Sequence, residues 1–403
     1  MTIRRALPPV SAMVVAALLA ACTGAAGDAV RVSAPPPTTS TAAAAPYATF
    51  PALVARALPQ STQQKLQAVL DEALVLHAAS PASGARGLAA AVISDHGSWA
   101  GAAGTDGVGA RVQVRSMMPI DSITKTFTAA EVLLLSQAGK ADLDAPLSRY
   151  IDHPLTASGA TVRQVLSMRS GVSDPREGVY DGLAHLPEAA KASWSIERSL
   201  AYLRPTLSAR GPVPKYASAN YLLLGMLVEK LTGRPMPQVL RADLFNPAHL
   251  IRVAAQDTER PVPPLAAAPR SLVSKSDGYL PSRAWTHPTH ATFAGIAADA
   301  QTVALWGYQL YGSRLLAPAS VRAMITEPTP DQLFPGLGYA LGTMVFSDLA
   351  TDPGYGHEGS GPASSSILVV VPARHLSVAI LIPEENRHPE EQARELLHAF
   401  AAK

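Results

Sequence analysis

The stretch Asp121-Ser122-Ile123-Thr124-Lys125-Thr126-Phe127-Thr128 sets a serine three residues before a lysine at the head of an apolar helical pattern. Residues i and i+3 share a helical face, so Ser122 Oγ and Lys125 Nζ can meet with no help from the rest of the fold. Ile123, Phe127, Ala130 and Leu134 recur at helical spacing, and Gly139 stands where a C-terminal cap belongs. The spacing therefore predicts a helix with Ser122 in its first turn. Free backbone N–H groups and the positive dipole end there favour a developing oxyanion. A lysine serves as base only when it is neutral part of the time, which burial beside a cationic or donor group brings about. The same tetrapeptide also suits the polar start of an ordinary amphipathic helix. Of the eight lysines in 403 residues, only Lys125 has a serine three positions earlier.

Working outward, strands are expected near both ends and helices between them. Gly87–Ile93, the turn Asp95-His96-Gly97 and Ser98–Ala103 read as a hairpin. Ser366–Pro372 and Leu376–Ile382 read as buried strands joined by a short turn, and Pro389–Ala402 as a helix with proline in its first turn. Strands from both ends are expected to share one sheet, with the helical middle packed against it.

Four further runs accompany the Ser–Lys pair in a fixed order. They are Gly139-Lys140-Ala-Asp-Leu-Asp144-Ala-Pro146, then Thr161-Val-Arg-Gln-Val-Leu166-Ser-Met-Arg-Ser170-Gly171, then Lys215-Tyr216-Ala-Ser-Ala-Asn220-Tyr221, and last Gly356-His357-Glu358-Gly359-Ser360-Gly361. With them the chain, from about residue 50 onward, resembles the serine β-lactamase-related family of class C β-lactamases, D,D-peptidases and esterases. The resemblance implies a mixed α/β fold: an antiparallel sheet flanked by helices, plus a mostly helical region holding Tyr216. It also implies a catalytic set of Ser122, Lys125 and Tyr216, in which the phenol relays a proton between Ser122, Lys125 and the leaving group. Which of Lys125 and Tyr216 is the base stays open. His357-Glu358-Gly359 matches the His-x-Gly form of the third motif. Gly359 is expected to let substrate approach the strand backbone, and the N–H groups of Ser122 and Ser360 form the candidate oxyanion hole.

The chain departs from the family pattern at Ser218, where the second motif usually carries Asn. A hydroxyl reaches less far than an amide, and Asn220 is out of register. Ser218, His357 and Gly359 are the substrate-binding candidates. An exposed histidine is mostly neutral at pH 7, unlike the lysine of Lys-Thr-Gly, and Glu358 adds negative charge unless its side chain points to the other sheet face. Both features turn the reading from carboxylate-bearing β-lactams toward esters or amides.

Residues 1–21 read as an export signal: Arg4 and Arg5, an apolar run from Val10 to Ala21, and Leu19-Ala20-Ala21-Cys22 at its end. That ending resembles a bacterial lipobox, which makes the sole cysteine, Cys22, the lipid-modified N-terminus of a protein anchored outside the cell membrane. Residues 22–49 read as an Ala/Pro/Thr-rich tether, and 50–403 as the hydrolase domain. A hydrophobic share of 48% marks a globular chain, and a net charge of +2 gives no electrostatic reason to expect nucleic acid. No cofactor or metal is implied. His287-Pro-Thr-His290 has no carboxylate at ligand spacing and reads as a loop, and Glu384-Glu385 with Glu390-Glu391 as a solvated turn and helix start. The absence of a Gly-x-Ser-x-Gly elbow argues against α/β-hydrolase chemistry. The expectation is a cell-envelope serine hydrolase acting on a small-molecule or peptidoglycan-like ester or amide. The rival is a degenerate, non-catalytic lipoprotein that keeps the fold as a binding module.

Overall fold

Eight consecutive apolar or small residues, Gly87–Ser94, form β1, and all eight are buried, whereas β2 (Gly97–Gly104) buries mainly every second residue. A strand covered on both faces needs no alternation; a strand nearer the edge does. β1 lies between β2 and β13 (Leu376–Ile382), so the chain's first and last strands are neighbours. The antiparallel sheet continues through β12 (Ser364–Val371), β11 (Gly354–Gly361), β10 (Met344–Phe346), β9 (Leu337–Tyr339) and β8 (Gln332–Phe334). The expected hairpin, the buried strand pair and the shared sheet are all present. The C-terminal helix runs Glu390–Ala401.

In this computed structural model the described residues are 49–79, 85–174, 194–266, 268, 280, 283–326, 332–334 and 336–402. The export signal, Cys22 and the tether up to residue 48 lie outside them. The described residues belong to one compact unit, Ala44–Lys403. None of their helices is long and apolar enough to cross a membrane.

The register of β11 on β12 decides what each strand residue faces. His357 pairs with Leu368, Gly359 with Ser366 and Gly361 with Ser364, while Glu358 pairs with Ile367 on the opposite face. On the first face sits helix Ala300–Tyr311, whose Ala304 carbonyl accepts a hydrogen bond from Ser377 Oγ at 2.8 Å. Helices Gln60–Ala79 and Glu390–Ala401 pack against each other and against the sheet. The helical region holds Thr124–Gln137, the helix of the candidate nucleophile (the nucleophile helix), and the central helix Ala219–Thr232. Small sheets β3 (Met118–Pro119)–β7 (Ile296–Ala298)–β6 (Val253–Ala255) and β4 (Val172–Ser173)–β5 (Thr206–Leu207) complete the described strands.

The nucleophile helix is held from the sheet side by an aromatic stack. Trp306 lies flat on Phe127, centroids 3.8 Å apart at 9°, and its Nε1 donates to Thr126 Oγ1 at 2.8 Å. Phe245 meets the other edge of Phe127 at 89°. Eleven of the fourteen residues of this helix are buried, including Lys125 and Glu131, so it runs through the interior and is not an amphipathic surface helix.

Candidate active site

Ser122 lies in a 3-10 turn, Asp121–Ile123, that runs straight into the nucleophile helix. The turn starts from a left-handed residue, Asp121 (φ +45°), a conformation that Asp adopts more readily than most side chains. Lys125 Nζ donates to Ser122 Oγ at 2.8 Å and to the Phe293 carbonyl at 3.3 Å. It is fully buried and lies 4.8 Å from the centroid of the Tyr216 ring. Burial lowers the amine to about 7, against the pull of the Asp174 and Asp121 carboxylates, which favour its charged form. Burial also pushes the Tyr216 phenol well above its ordinary range, only partly offset by its hydrogen bond with Ser122. The structure thus brings the three expected residues together, with an amine that is half neutral near pH 7 and a phenol that keeps its proton.

Tyr216 is placed by the chain just before the central helix. The Asp174 carboxylate accepts the N–H groups of Ser218 at 2.7 Å and Ala219 at 2.9 Å, satisfying two of the donors left open at that helix start. Asn220 is turned away: its amide donates to the Ala217 carbonyl, and its Oδ1 accepts from Ser170 Oγ at 2.5 Å. Tyr221 is a packing residue whose hydroxyl donates to the Leu166 carbonyl at 3.1 Å.

Ser122, Ser218 and Ser360 open onto one cleft of about 320 Å³, also lined by Trp285, Phe293, Ala294, Gly361, Pro362, Glu385 and Asn386. Glu385 is the charged side chain of that wall. A groove of about 350 Å³ beside Leu53, Val54 and Ile251 does not include these residues.

His357 and Gly359 are not part of the cleft wall. His357 is completely buried, and its Nδ1 donates to the Glu358 carbonyl at 2.5 Å. Its Nε2, 3.3 Å from the Tyr339 hydroxyl, is left as the acceptor. Burial pulls this imidazole down to about 3, so the ring is neutral because it is dry, not because it is exposed. A Cβ at Gly359 would fall 2.4 Å from the Ile120 carbonyl oxygen and 2.2 Å from Ser366 Oγ. The bare Cα therefore serves the approach of the nucleophile turn to the sheet rather than that of a substrate.

Glu358 takes the second of its two expected orientations. It points to the opposite sheet face, against Glu390, and burial with that second carboxyl raises it to about 8. It is protonated at neutral pH and adds no negative charge to the site. The His287–His290 segment does have a carboxylate: Asp257, distant in sequence, reaches His287 Nε2 at 2.7 Å and His290 Nδ1 at 3.7 Å. Burial opposes ionisation of Asp257, yet the two imidazoles hold it below its ordinary value. Among the described residues this is no metal cluster; it braces the buried turn that carries Phe293. Glu384 is buried rather than solvated and accepts the Arg86 N–H at 3.0 Å. Sequence reasoning missed Asp121, Asp174, Trp285, Phe293 and Glu385 as site residues; Asp121, adjoining the nucleophile, is the one that local sequence could have flagged.

A buried lysine bonded to a serine beside strands β11 and β12, with a tyrosine ring next to the amine, is the arrangement that the family resemblance implied. The Beta-lactamase family profile matches residues 62–403, and the chain belongs to that family. It is 27% identical over 301 residues to penicillin-binding protein 4 of Amycolatopsis lactamdurans, covering 68% of this chain and 74% of that one. It is 32% identical over 142 residues to the D-aminopeptidase of Brucella anthropi, spanning 32% of this chain and only 25% of the relative. The D-amino acid amidase of Ochrobactrum anthropi SV3 shares the fold, with a TM-score of 0.70 at 21% identity over 85% of this chain and 99% of that one.

Proposed function

We propose that the protein is a cell-envelope serine hydrolase that opens an ester or amide bond of small D-amino-acid derivatives through an acyl-Ser122 intermediate. The 2.8 Å contact of Ser122 Oγ with a buried Lys125 poised near neutrality carries this reading. In the proposed mechanism neutral Lys125 accepts the Ser122 proton as Oγ attacks the carbonyl. Tyr216, still protonated at this stage, gives its hydroxyl proton to the leaving group and regains one from the Lys125 ammonium. The backbone N–H groups of Ser122 and Ser360 receive the oxyanion, and water then releases the acyl group.

Three observations favour esters and amides over efficient β-lactam turnover. Ser218 offers a hydroxyl where an amide would hold a substrate carbonyl; His357 supplies no cation; and the named cleft-wall residues include no Lys or Arg to receive a carboxylate. The D-amino-acid substrate class rests on the D-aminopeptidase and D-amino acid amidase likenesses. Anchoring through Cys22 outside the membrane rests on the basic, apolar and small-residue order of residues 1–22. Palmitate incorporation abolished by Cys22→Ala is the expected outcome for that part.

The decisive experiment is intact-mass labelling of the full-length chain with a fluorophosphonate, with Ser122→Ala as control. One adduct on the native protein and none on the variant is expected. No adduct on folded protein would turn the reading to a binding module.

A further inference from the structure

Asp121 is the residue of the nucleophile turn that the mechanism above leaves unused. It is 1% exposed, and its carboxyl lies between Lys125 and the turn that joins β11 to β12. Oδ2 accepts from Ser364 Oγ at 2.5 Å, and the same hydroxyl lies 3.0 Å from the Pro119 carbonyl. Oδ1 meets no donor among the described residues and occupies the place of a side chain at position 361, where an added Cβ would fall 2.2 Å away. Gly361 is thus the gap that admits the carboxyl. The β11–β12 turn it grips follows Ser360, and its own turn carries Ser122, so this one side chain ties together the two segments that bear the proposed oxyanion donors.

We propose that Asp121 is a positioning residue of the acylation site, its buried carboxyl clamping the Ser122 turn to the β11–β12 turn and serving as internal counter-charge to Lys125. The inference rests on the reading of Lys125 as the base. Ionised Asp121 favours the charged amine; neutral Asp121 frees Lys125 to lose its proton. Among the described residues, the other titratable groups facing the pair are Asp174 just after β4, Tyr216 and Tyr221 at the central helix, and His357 from β11. From β12, Ser364 and Ser366 meet the nucleophile turn, and neither titrates. Burial raises Asp121 to about 7, level with the amine, so the two groups exchange charge in one pH range.

The test is a pH titration of the lysine ¹³Cε resonances of the full chain, native against Asp121→Asn. The chain has eight lysines, and Lys125→Met assigns the one resonance. Asn tolerates the left-handed backbone and keeps the shape of the side chain. The Lys125 midpoint is expected to fall by about 1 pH unit in Asp121→Asn. Ser364→Ala, which removes the hydroxyl that favours the ionised carboxyl, is expected to lower it less. Midpoints equal to the native one in both folded variants would overturn the proposal, leaving Asp121 as packing alone. The acid limb of Ser122 labelling should move with the midpoint. A midpoint that moves in a protein that no fluorophosphonate labels would sustain Asp121 as the counter-charge of Lys125 and refute both the hydrolase reading and the positioning role.

Discussion

Lys125 Nζ and Ser122 Oγ lie 2.8 Å apart on adjoining turns of one helical segment, and the amine is buried. The helix sets the contact, and the surrounding fold sets its chemistry. Because the base must be neutral, acylation of Ser122 is expected to rise with pH and reach half its maximum near pH 7, where burial places the amine. Lys125→Met should slow labelling by roughly 10²-fold or more. Stopped-flow labelling from pH 5 to 9 checks both.

Tyr216→Phe keeps the ring over Lys125 at the same 4.8 Å but removes the hydroxyl that bonds Ser122. Stability should change little. The expected loss in turnover of a D-amino-acid amide is about 10²-fold, with a smaller loss for an activated ester, whose leaving group needs no proton.

Glu358 faces Glu390 and is raised to about 8. Between the ordinary carboxylate range and that value the folded chain holds a proton that the unfolded chain has released. Stability must therefore fall as pH rises through this window. Glu358→Gln should flatten that slope and melt higher than the native protein at pH 8, with little difference at pH 4. Melting curves at the two pH values decide it.

Trp306 supports the nucleophile helix from the sheet side through its stack on Phe127 and its bond to Thr126. Trp306→Ala is expected to cost about 3–5 kcal/mol. Trp306→Phe, which keeps a ring but drops the N–H, should cost less, with about 1 kcal/mol from the lost hydrogen bond. Urea unfolding measures both.

Ser218 opens onto the cleft where the family pattern has an amide. Ser218→Asn is expected to increase acylation by a fluorescent penicillin several-fold, since the longer side chain both donates and accepts. Unchanged labelling would show that Ser218 does not limit β-lactam recognition.

Much of this architecture was legible in the chain. The β1–β2 hairpin, the β12–β13 pair and the helix after Ser122 follow from local periodicity and turn residues, which neighbouring positions determine on their own. The meeting of Ser122 with Lys125 follows from helical spacing. The misread features depend on distant residues. His357 was expected at the surface, yet the packing of Tyr339 and Tyr216 around it makes it a dry, neutral ring. The His287–His290 segment looked unpartnered until the fold brought up Asp257. Gly359 looked like a substrate contact, but the Ile120 carbonyl at the start of the nucleophile turn occupies the space beside it.

By itself the sequence determined the identity and order of the motifs, the strand and helix signals, and the one local contact of the site, because each depends on residues a few positions apart. Only the tertiary structure decided the charge states: a lysine and an aspartate that both titrate near pH 7, a histidine that is neutral there, and a glutamate that keeps its proton. Protonation depends on how much water and which opposing charge surround a group, and these are supplied by segments far away in the chain.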